Sequence, residues 1–294
     1  SNHVKIRKGN MEYAWEQSDV IVEYEFSMPQ ADHLAMETRN AKCKISRDGT
    51  VNIYTSSQAP FGVKEEISST YSVPEGKVIV NTPFVGGGFG GKASVTVEFL
   101  AYLASLAVGG KMVTIANTRE EDIGTAPSKL AGEGKIKLGA TKDGKITALE
   151  CIYHIDSGAY ANTSPNMARA AATDCSGPYN IENLSCDSYC VYTNHNYATS
   201  FRGFGHGVST FGIEMSMNKL AKKLGMDSLE LRRLNAIKDG NYSPTQSLMT
   251  LSNTGNLDKC ISNLKSFINW DEGSKTITDK GTIISKGIQM LVQG

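Results

Sequence analysis

Two stretches of the chain alternate apolar and polar residues on either side of an Asp-Gly pair. The first spans residues 41–57 with the pair at 48–49, and the second spans residues 136–158 with the pair at 143–144. Alternation with a period of two is typical of half-buried strands, and Asp-Gly tolerates the positive φ angles of a tight turn. The pattern therefore predicts two β-hairpins. Two further segments alternate like strands: residues 18–28 and 183–193.

Apolar residues recur every three or four positions in other segments, as they do along one face of a helix. Residues 95–106 are apolar on nearly every face, so we expect a buried helix there. Residues 207–225 carry a narrower apolar stripe, which predicts a helix that ends at Gly225. The pattern of residues 256–270 predicts a last helix. Hairpins combined with separate helices favour an α+β fold with mixed or antiparallel sheets, rather than a doubly wound parallel sheet.

Charge and composition exclude some classes of partner. The 294 residues contain 30 basic and 30 acidic side chains, so no net charge attracts the chain to nucleic acid or to an anionic membrane. The longest apolar run, residues 99–108, is shorter than the ~20 residues of a membrane span. We expect no secretory leader, because the first residues lack its charged and apolar regions. The six cysteines are scattered, and these features together predict a cytoplasmic protein.

A glycine-rich stretch, PFVGGGFGGKASV at residues 83–95, suggests a loop whose backbone approaches a ligand. It contains G-x-G-x-x-G, yet the next strand lacks the acidic residue that would hold a ribose. It also resembles a P-loop through Gly86 and Lys92, but Ala93 replaces the hydroxyl residue that would hold magnesium. A nucleotide-binding module that binds ATP or NAD through residues 86–92 remains an alternative. A third hypothesis is a noncatalytic scaffold in which the glycines only turn the chain.

A second glycine-rich loop, SFRGFGHG at residues 200–207, weakens the scaffold hypothesis. It places Arg202 and Phe204 between glycines and, like the first loop, leads directly into a predicted helix. Backbone amides at helix starts bind anions, and arginine adds a fixed cation. Two such loops predict two donor-rich surfaces that converge on one polyanionic cofactor.

Several of these motifs, in this order, resemble a known family. GGGFGGK, then FRGFG, then LGMDSLELRRLN resemble the molybdenum-binding subunit of the xanthine dehydrogenase/aldehyde oxidase family, and IYTSSQAP matches its strand-end glutamine at Gln58. The resemblance begins near residue 9 and continues past residue 235. It implies a molybdopterin-binding domain of a molybdenum hydroxylase, which oxidises N-heterocycles or aldehydes with water as the oxygen source.

The resemblance assigns roles to individual residues. Gln58 matches a glutamine that hydrogen-bonds an oxo ligand of molybdenum, and Arg202 matches an arginine beside the cofactor. The backbone of the first loop matches the part that contacts the metal's ligands and the pterin. The implied cofactor-binding set is Gln58, Gly88, Phe89, Gly90 and Arg202.

The resemblance also implies a substrate pocket. Phe204 matches a phenylalanine that stacks on a flat heteroaromatic substrate. Ala93 and Ala170 stand where purine-oxidising members carry a glutamate and an arginine, and Arg169 would serve only if the register slipped by one residue. Because both polar groups that hold a purine are replaced by alanine, the substrate stays open between another N-heterocycle and an aldehyde.

The family's catalytic glutamate lies in a later glycine-rich motif that has no counterpart after Trp270, so no catalytic residue is assigned to this chain.

We expect residues 1–10 to be a tag remnant or linker and residues 11–240 to be the first molybdopterin-binding domain. Residues 241–294 would then be the connection and the incomplete start of a second one. The implied partners are the C-terminal half of the same subunit and the subunits or domains that carry [2Fe–2S] clusters and FAD. The fragment alone is expected to be inactive.

Two charged segments are expected to have ordinary roles. His33 and Glu37 are four residues apart, as metal ligands on a helix would be, but no third ligand is evident, which favours a simple polar pair. Residues 119–122 are expected to form a solvated, capped turn.

Overall fold

The structure is a computed structural model that describes residues 2–291. Its strands build a five-stranded sheet, a four-stranded sheet and two-stranded pairs. In chain order the strands are β1 (His3–Lys8), β2 (Val20–Met28), β3 (Asn40–Ile45), β4 (Val51–Thr55), β5 (Val78–Asn81), β6 (Val113–Ala116), β7 (Ser128–Lys129), β8 (Ala131–Ala140), β9 (Ile146–Asp156), β10 (Leu184–Val191), β11 (Ala198–Thr199), β12 (Lys275–Ile277) and β13 (Ile283–Ser285).

Helices connect these strands and cover one face of each large sheet. In chain order the α-helices are α1 (Met11–Glu16), α2 (Pro60–Tyr71), α3 (Val97–Ala107), α4 (Arg119–Thr125), α5 (Ser164–Thr173), α6 (His206–Leu224), α7 (Ser228–Asn235), α8 (Leu251–Thr254) and α9 (Leu257–Phe267). Among residues 2–291, no helix combines the length and apolarity that crossing a membrane requires.

The five-stranded sheet has the order β1-β10-β9-β8-β2. Strands β8 and β9 form the predicted hairpin, with Gly144 at φ 89° in its turn. Strand β10 runs parallel to β9 after a connection that contains α5, and β1 and β2 pair antiparallel at the two edges. Helices α5 and α6 pack on one face of this sheet, and their buried side chains complete the larger hydrophobic core.

The four-stranded sheet has the order β5-β4-β3-β6 and contains the other predicted hairpin, β3–β4, which turns at Gly49. Helices α2 and α3 pack on it and enclose a second, smaller core that includes Ile53, Ile67 and Tyr102. The mixed and antiparallel sheets with packed helices confirm the predicted α+β class.

Three sequence-based expectations need correction. Residues 3–8 were expected to be linker, but they form the edge strand β1, because their alternating side chains pair in register with β10. Helix α3 was expected to be buried, but its outward face exposes Leu100, Leu103 and Leu106. Residues 33–37 form no helix. The division near residue 240 stays a prediction.

Candidate functional site

The first glycine-rich loop connects β5 to α3 and bends through backbone angles that glycine tolerates best. Gly87 and Gly90 have φ angles of 96° and 101°, and Phe89 between them has φ 52°, unusual for a residue with a side chain. The Phe89 ring is 46% exposed. The backbone N–H groups of Gly87, Gly88 and Phe89 donate to no acceptor within residues 2–291. The loop therefore has three successive backbone N–H groups without an acceptor in the described chain, the middle one on the buried Gly88, beside the exposed Phe89.

Gln58 sits directly against this loop, just after β4. Its Oε1 accepts hydrogen bonds from the backbone nitrogens of Gly90 (2.9 Å) and Lys92 (3.2 Å). A Cβ on Gly88 would fall 2.5 Å from Gln58 Cδ, so only glycine allows this close approach. With the oxygen occupied, the exposed carboxamide keeps its Nε2 protons as free donors, since Nε2 has no partner in the described part of the chain.

The second glycine-rich loop, between β11 and α6, is held against the first by a short backbone ladder. Arg202 N donates to Phe89 O (2.9 Å), and Ser200 Oγ donates to Gly90 O (3.0 Å). A Cβ on Gly90 would fall 2.5 Å from Ser200 O. The Arg202 side chain is exposed and has no hydrogen-bond or ion-pair partner among residues 2–291. The ladder thus brings an unpaired guanidinium next to the unpaired amides of the first loop.

Charged side chains beneath the first loop fix its two ends. Glu37 Oε2 accepts from Gly86 N (2.8 Å) and from Lys92 Nζ (2.9 Å). These donors hold the pKa of the Glu37 carboxyl below its ordinary value, although desolvation alone would raise it. Because the Lys92 side chain is 4% exposed and paired with Glu37, its ammonium does not reach a phosphate, and the nucleotide-binding alternative has no support.

A buried ion pair lies behind the same loop. The Arg39 guanidinium donates to Gly91 O (2.9 Å and 3.2 Å) and lies 3.2 Å from Asp122 Oδ1. Asp122 also accepts from Arg39 N. The expectation of a solvated turn at residues 119–122 is therefore wrong for Asp122, which is 2% exposed because a partner 83 positions away neutralises it.

His33 joins the two loops from below. Its Nε2 lies 2.8 Å from Ser200 O, so this nitrogen donates, and its ring stacks obliquely on Phe201. A Cβ on Gly91 would fall 2.6 Å from His33 Cγ. The buried Nδ1 has no hydrogen-bond partner within the described residues. Burial lowers the pKa of His33 below its ordinary value of 6.5. His33 and Glu37 are therefore separate supports of the loops, and the expected polar pair is not formed, because each contacts a different partner.

The predicted substrate residues lie on three segments: the second loop, the end of the first loop and α5. Phe204, with φ 43°, is half-buried against the larger core. Ala93 is exposed at the end of the first loop, whereas Ala170 is half-buried on α5, beside the exposed Arg169. Helix α5 touches the second loop, because a Cβ on Gly205 would overlap the backbone of Met167. Their contact with a substrate stays a prediction.

The structure thus brings the predicted cofactor set onto one surface, although these residues are far apart in the sequence. Sequence reasoning missed the supports Arg39 and Asp122, and it gave His33 and Glu37 no role. In the sequence these residues are recognisable only as charged or polar side chains. Charge alone does not distinguish a buried ion pair from a solvated one.

The exposed groups fit an anionic pterin cofactor. Unpaired amides, a free carboxamide donor and an unpaired guanidinium suit the oxygen-rich, anionic parts of such a group. Helix α6, 19 residues long, begins shortly after Arg202 and adds the positive end of its dipole. The carboxylates of Glu37 and Asp122, which lie beneath and behind the first loop, are ion-paired, so their negative charge is compensated.

Comparisons with known proteins agree with this geometry. The chain is 33% identical over 232 residues to the nicotinate dehydrogenase large molybdopterin subunit of Eubacterium barkeri, a match that covers 79% of this chain and 54% of that protein. It is 30% identical over 264 residues to the xanthine dehydrogenase/oxidase of Gallus gallus, covering 88% of this chain and 19% of that protein. The chain therefore spans about half of the first relative and about a fifth of the second.

A solved structure shares the fold. The aldehyde oxidoreductase of Desulfovibrio gigas superposes with a TM-score of 0.84 at 26% identity, covering 96% of this chain and 34% of that one. The sequence family described as the molybdopterin cofactor-binding domain matches residues 1–236. With this match, the chain belongs to the molybdopterin cofactor-binding domain family.

Proposed function

We propose that this chain forms one side of the molybdenum–molybdopterin site of a molybdenum hydroxylase. The observation that carries the proposal is the convergence of unpaired donors from three segments: the carboxamide of Gln58, the amides of residues 87–89 and the guanidinium of Arg202. Two relatives support it, since one is named as a molybdopterin subunit of nicotinate dehydrogenase and another as a molybdenum-binding subunit of xanthine dehydrogenase.

When bound, the cofactor supplies the redox chemistry of hydroxylation. The chain's own residues bind and orient it. The amides of residues 87–89 and the Gln58 carboxamide donate hydrogen bonds to it, and Arg202 neutralises negative charge beside it. Gly90 leaves room for the approach, because a Cβ there would overlap the backbone of Ser200, and Gly88 lets the Gln58 carboxamide lie against the loop. Phe204, Ala93 and Ala170 line the side from which a flat substrate enters.

The catalytic base comes from another polypeptide segment. The carboxylates next to the loops, Glu37 and Asp122, are committed to Lys92 and Arg39 and hold structure in place. A base must accept a proton near the substrate, so neither suits that role. We assign it to the C-terminal half of the same subunit, with iron–sulfur and FAD components as electron-transfer partners in the cytoplasm.

The substrate class is an N-heterocycle or an aldehyde. Relatives named for nicotinate, xanthine and aldehydes all fall within this range. Ala93 and Ala170 place no charge at the positions where a purine would need one, which favours a substrate other than a purine. Phe204 provides an aromatic face on which a flat ring stacks.

The proposal is tested by metal analysis. The chain, purified with the polypeptides that complete its enzyme, is expected to contain molybdenum and pterin in equal amounts. Arg202→Met should lower the molybdenum content about tenfold, because a charge-assisted contact is lost. Arg47→Met, on an exposed turn far from the loops, is the matched control and should leave it unchanged. An assembled wild-type protein without molybdenum would refute the proposal.

A further inference from the structure

Beside the first glycine-rich loop, polar side chains from three separate segments form one cluster. Ser94 follows the loop, Asn162 precedes α5, and Thr199 ends β11 just before the second loop. Ser94 Oγ and Thr199 Oγ1 lie 3.2 Å and 3.1 Å from Asn162 Oδ1, and 3.1 Å from each other. Thr199 is fully buried, so the cluster is anchored in the fold, while Asn162 is exposed.

The hydrogen bonds of this cluster fix the orientation of the Asn162 carboxamide. Its Oδ1 accepts from both hydroxyls and from Thr163 N at 2.8 Å. An amide oxygen has two lone pairs, so three donors saturate it. The Nδ2 protons have no acceptor within residues 2–291. Asn162 also holds φ 40°, a backbone conformation that costs free energy and is often retained at binding sites. Its free group is thus a donor.

The position of this donor matters because the two residues assigned above to the substrate pocket on either side of it carry no charge. Ala93 is covalently next to Ser94, and Ala170 lies on the helix that starts two residues after Asn162. Gln58, on the other side of the first loop, presents its carboxamide in the same way, with the oxygen occupied and the nitrogen free. Two neutral amide donors therefore flank the loop, one toward β4 and the other toward α5.

Resting on the proposed function, we propose that Asn162 is a specificity-determining residue whose Nδ2 donates a hydrogen bond to the ring nitrogen of an N-heterocyclic substrate. A site that pairs with a ring nitrogen discriminates against the carbocyclic analogue, which leaves the donor without an acceptor once substrate covers it. The inference thus favours N-heterocycles over carbocyclic aldehydes.

The test measures binding of two matched probes, nicotinate and benzoate, which differ only in the ring nitrogen. Dissociation constants are determined by calorimetry on the assembled enzyme, without oxygen or electron acceptor. The wild type should bind nicotinate about tenfold more tightly than benzoate. Asn162→Asp should abolish this ratio, because an oxygen replaces the donor while the other oxygen still accepts from Ser94, Thr199 and Thr163. The added negative charge should weaken the binding of nicotinate and of benzoate equally, so its effect cancels in the ratio of their dissociation constants.

Asn166→Asp is the matched control, since Asn166 is an exposed asparagine on α5 whose side chain has no partner in the described chain; it should retain the wild-type ratio. The thermal midpoint of Asn162→Asp should equal that of the wild type. A wild-type ratio near one, or a ratio that survives Asn162→Asp, would overturn the inference. Molybdenum content is measured on the same samples, so failure of the proposed function shows separately as missing metal.

Discussion

His33 illustrates how a single side chain supports a site that it does not enter. Its Nε2 donates to Ser200 O in the second loop, and its ring fills the space that Gly91 in the first loop leaves open. This bond requires only the proton on Nε2. A second proton, on the buried Nδ1, would find no acceptor within the described residues. The neutral imidazole is therefore the form that the fold selects.

Acidification should destabilise the protein through His33. Because the pKa of His33 is below 6.5 in the folded state, the unfolded state takes up its proton first as the pH falls. The charged groups around the ring are Arg39, which opposes protonation, and Asp32 and Asp122, which favour it. Stability from this residue is present above pH 6.5 and is lost below it. Thermal midpoints measured from about pH 7 to about pH 5 should fall less steeply in His33→Gln, whose amide retains the donor.

His154→Gln is the control for that series, because His154 is an exposed histidine that stacks on Tyr189 and has no ion-pair partner in the described part of the chain. Its profile should follow the wild type. Parallel profiles for the wild type and His33→Gln would contradict a role for His33 protonation.

At the residue scale, the sequence drew attention to exposed residues of the two loops better than to the residues that hold the loops, and the contact of the exposed residues with a cofactor stays a prediction. Gln58, Phe89 and Arg202 were identified because they interrupt glycine loops or follow a strand in a recognisable order. Arg39 and Asp122 were not, since the burial of a charge depends on a partner distant in the chain. Asn162 escaped notice because an asparagine before a helix usually suggests only a turn.

At the scale of elements, the contact between the two loops is narrow and depends on glycine at one position. Gly90 and Gly203 have the same φ angle, 101°, but different surroundings. A Cβ on Gly90 would overlap Ser200 O, whereas a Cβ on Gly203 meets nothing within 4 Å. Alanine at Gly203 would therefore incur only backbone strain, whereas alanine at Gly90 would incur the same strain and a steric clash.

Alanine substitutions at these glycines should differ clearly in stability. Gly203→Ala should cost about 1 kcal/mol, the usual penalty of a positive φ angle for a residue with a Cβ. Gly90→Ala should cost about 3 kcal/mol, because the strain is the same and the loops must also separate. Urea unfolding at neutral pH measures both values. Equal costs would mean that the loop contact contributes nothing to the fold.

Elements with a clear period were predicted well. Both hairpins, α6 with Gly225 at its end, α9 and the strand β10 match the sequence patterns. Asp227 caps α7 by accepting from the backbone nitrogens of Leu229 and Glu230. The prediction that helix α3 is buried was wrong. Its sequence is apolar on nearly every face, and such a pattern does not tell whether another element covers the outer face.

At the scale of the whole molecule, the described chain contains two hydrophobic cores, and we propose that it forms one side of a cofactor site. We expect the isolated polypeptide to fold cooperatively and to show no hydroxylase turnover with either nicotinate or benzaldehyde, because the carboxylates of Glu37 and Asp122 beside the loops are committed to ion pairs and the catalytic base is assigned to another segment of the enzyme. Activity should appear when the remaining segments of the enzyme are added. Turnover by the isolated polypeptide, measured with an artificial electron acceptor, would contradict this expectation.

The hydrogen bonds that join the loops connect positions far apart along the chain: Ser200 with Gly90, 110 residues away, and Ser200 with His33, 167 residues away. Closing such long segments is entropically costly and occurs late in folding. During synthesis the donor array therefore does not exist until residue 204 has been added and both sheets have formed. On the proposed function, we therefore expect the cofactor to bind chains whose two sheets have folded and to be refused by partly folded ones.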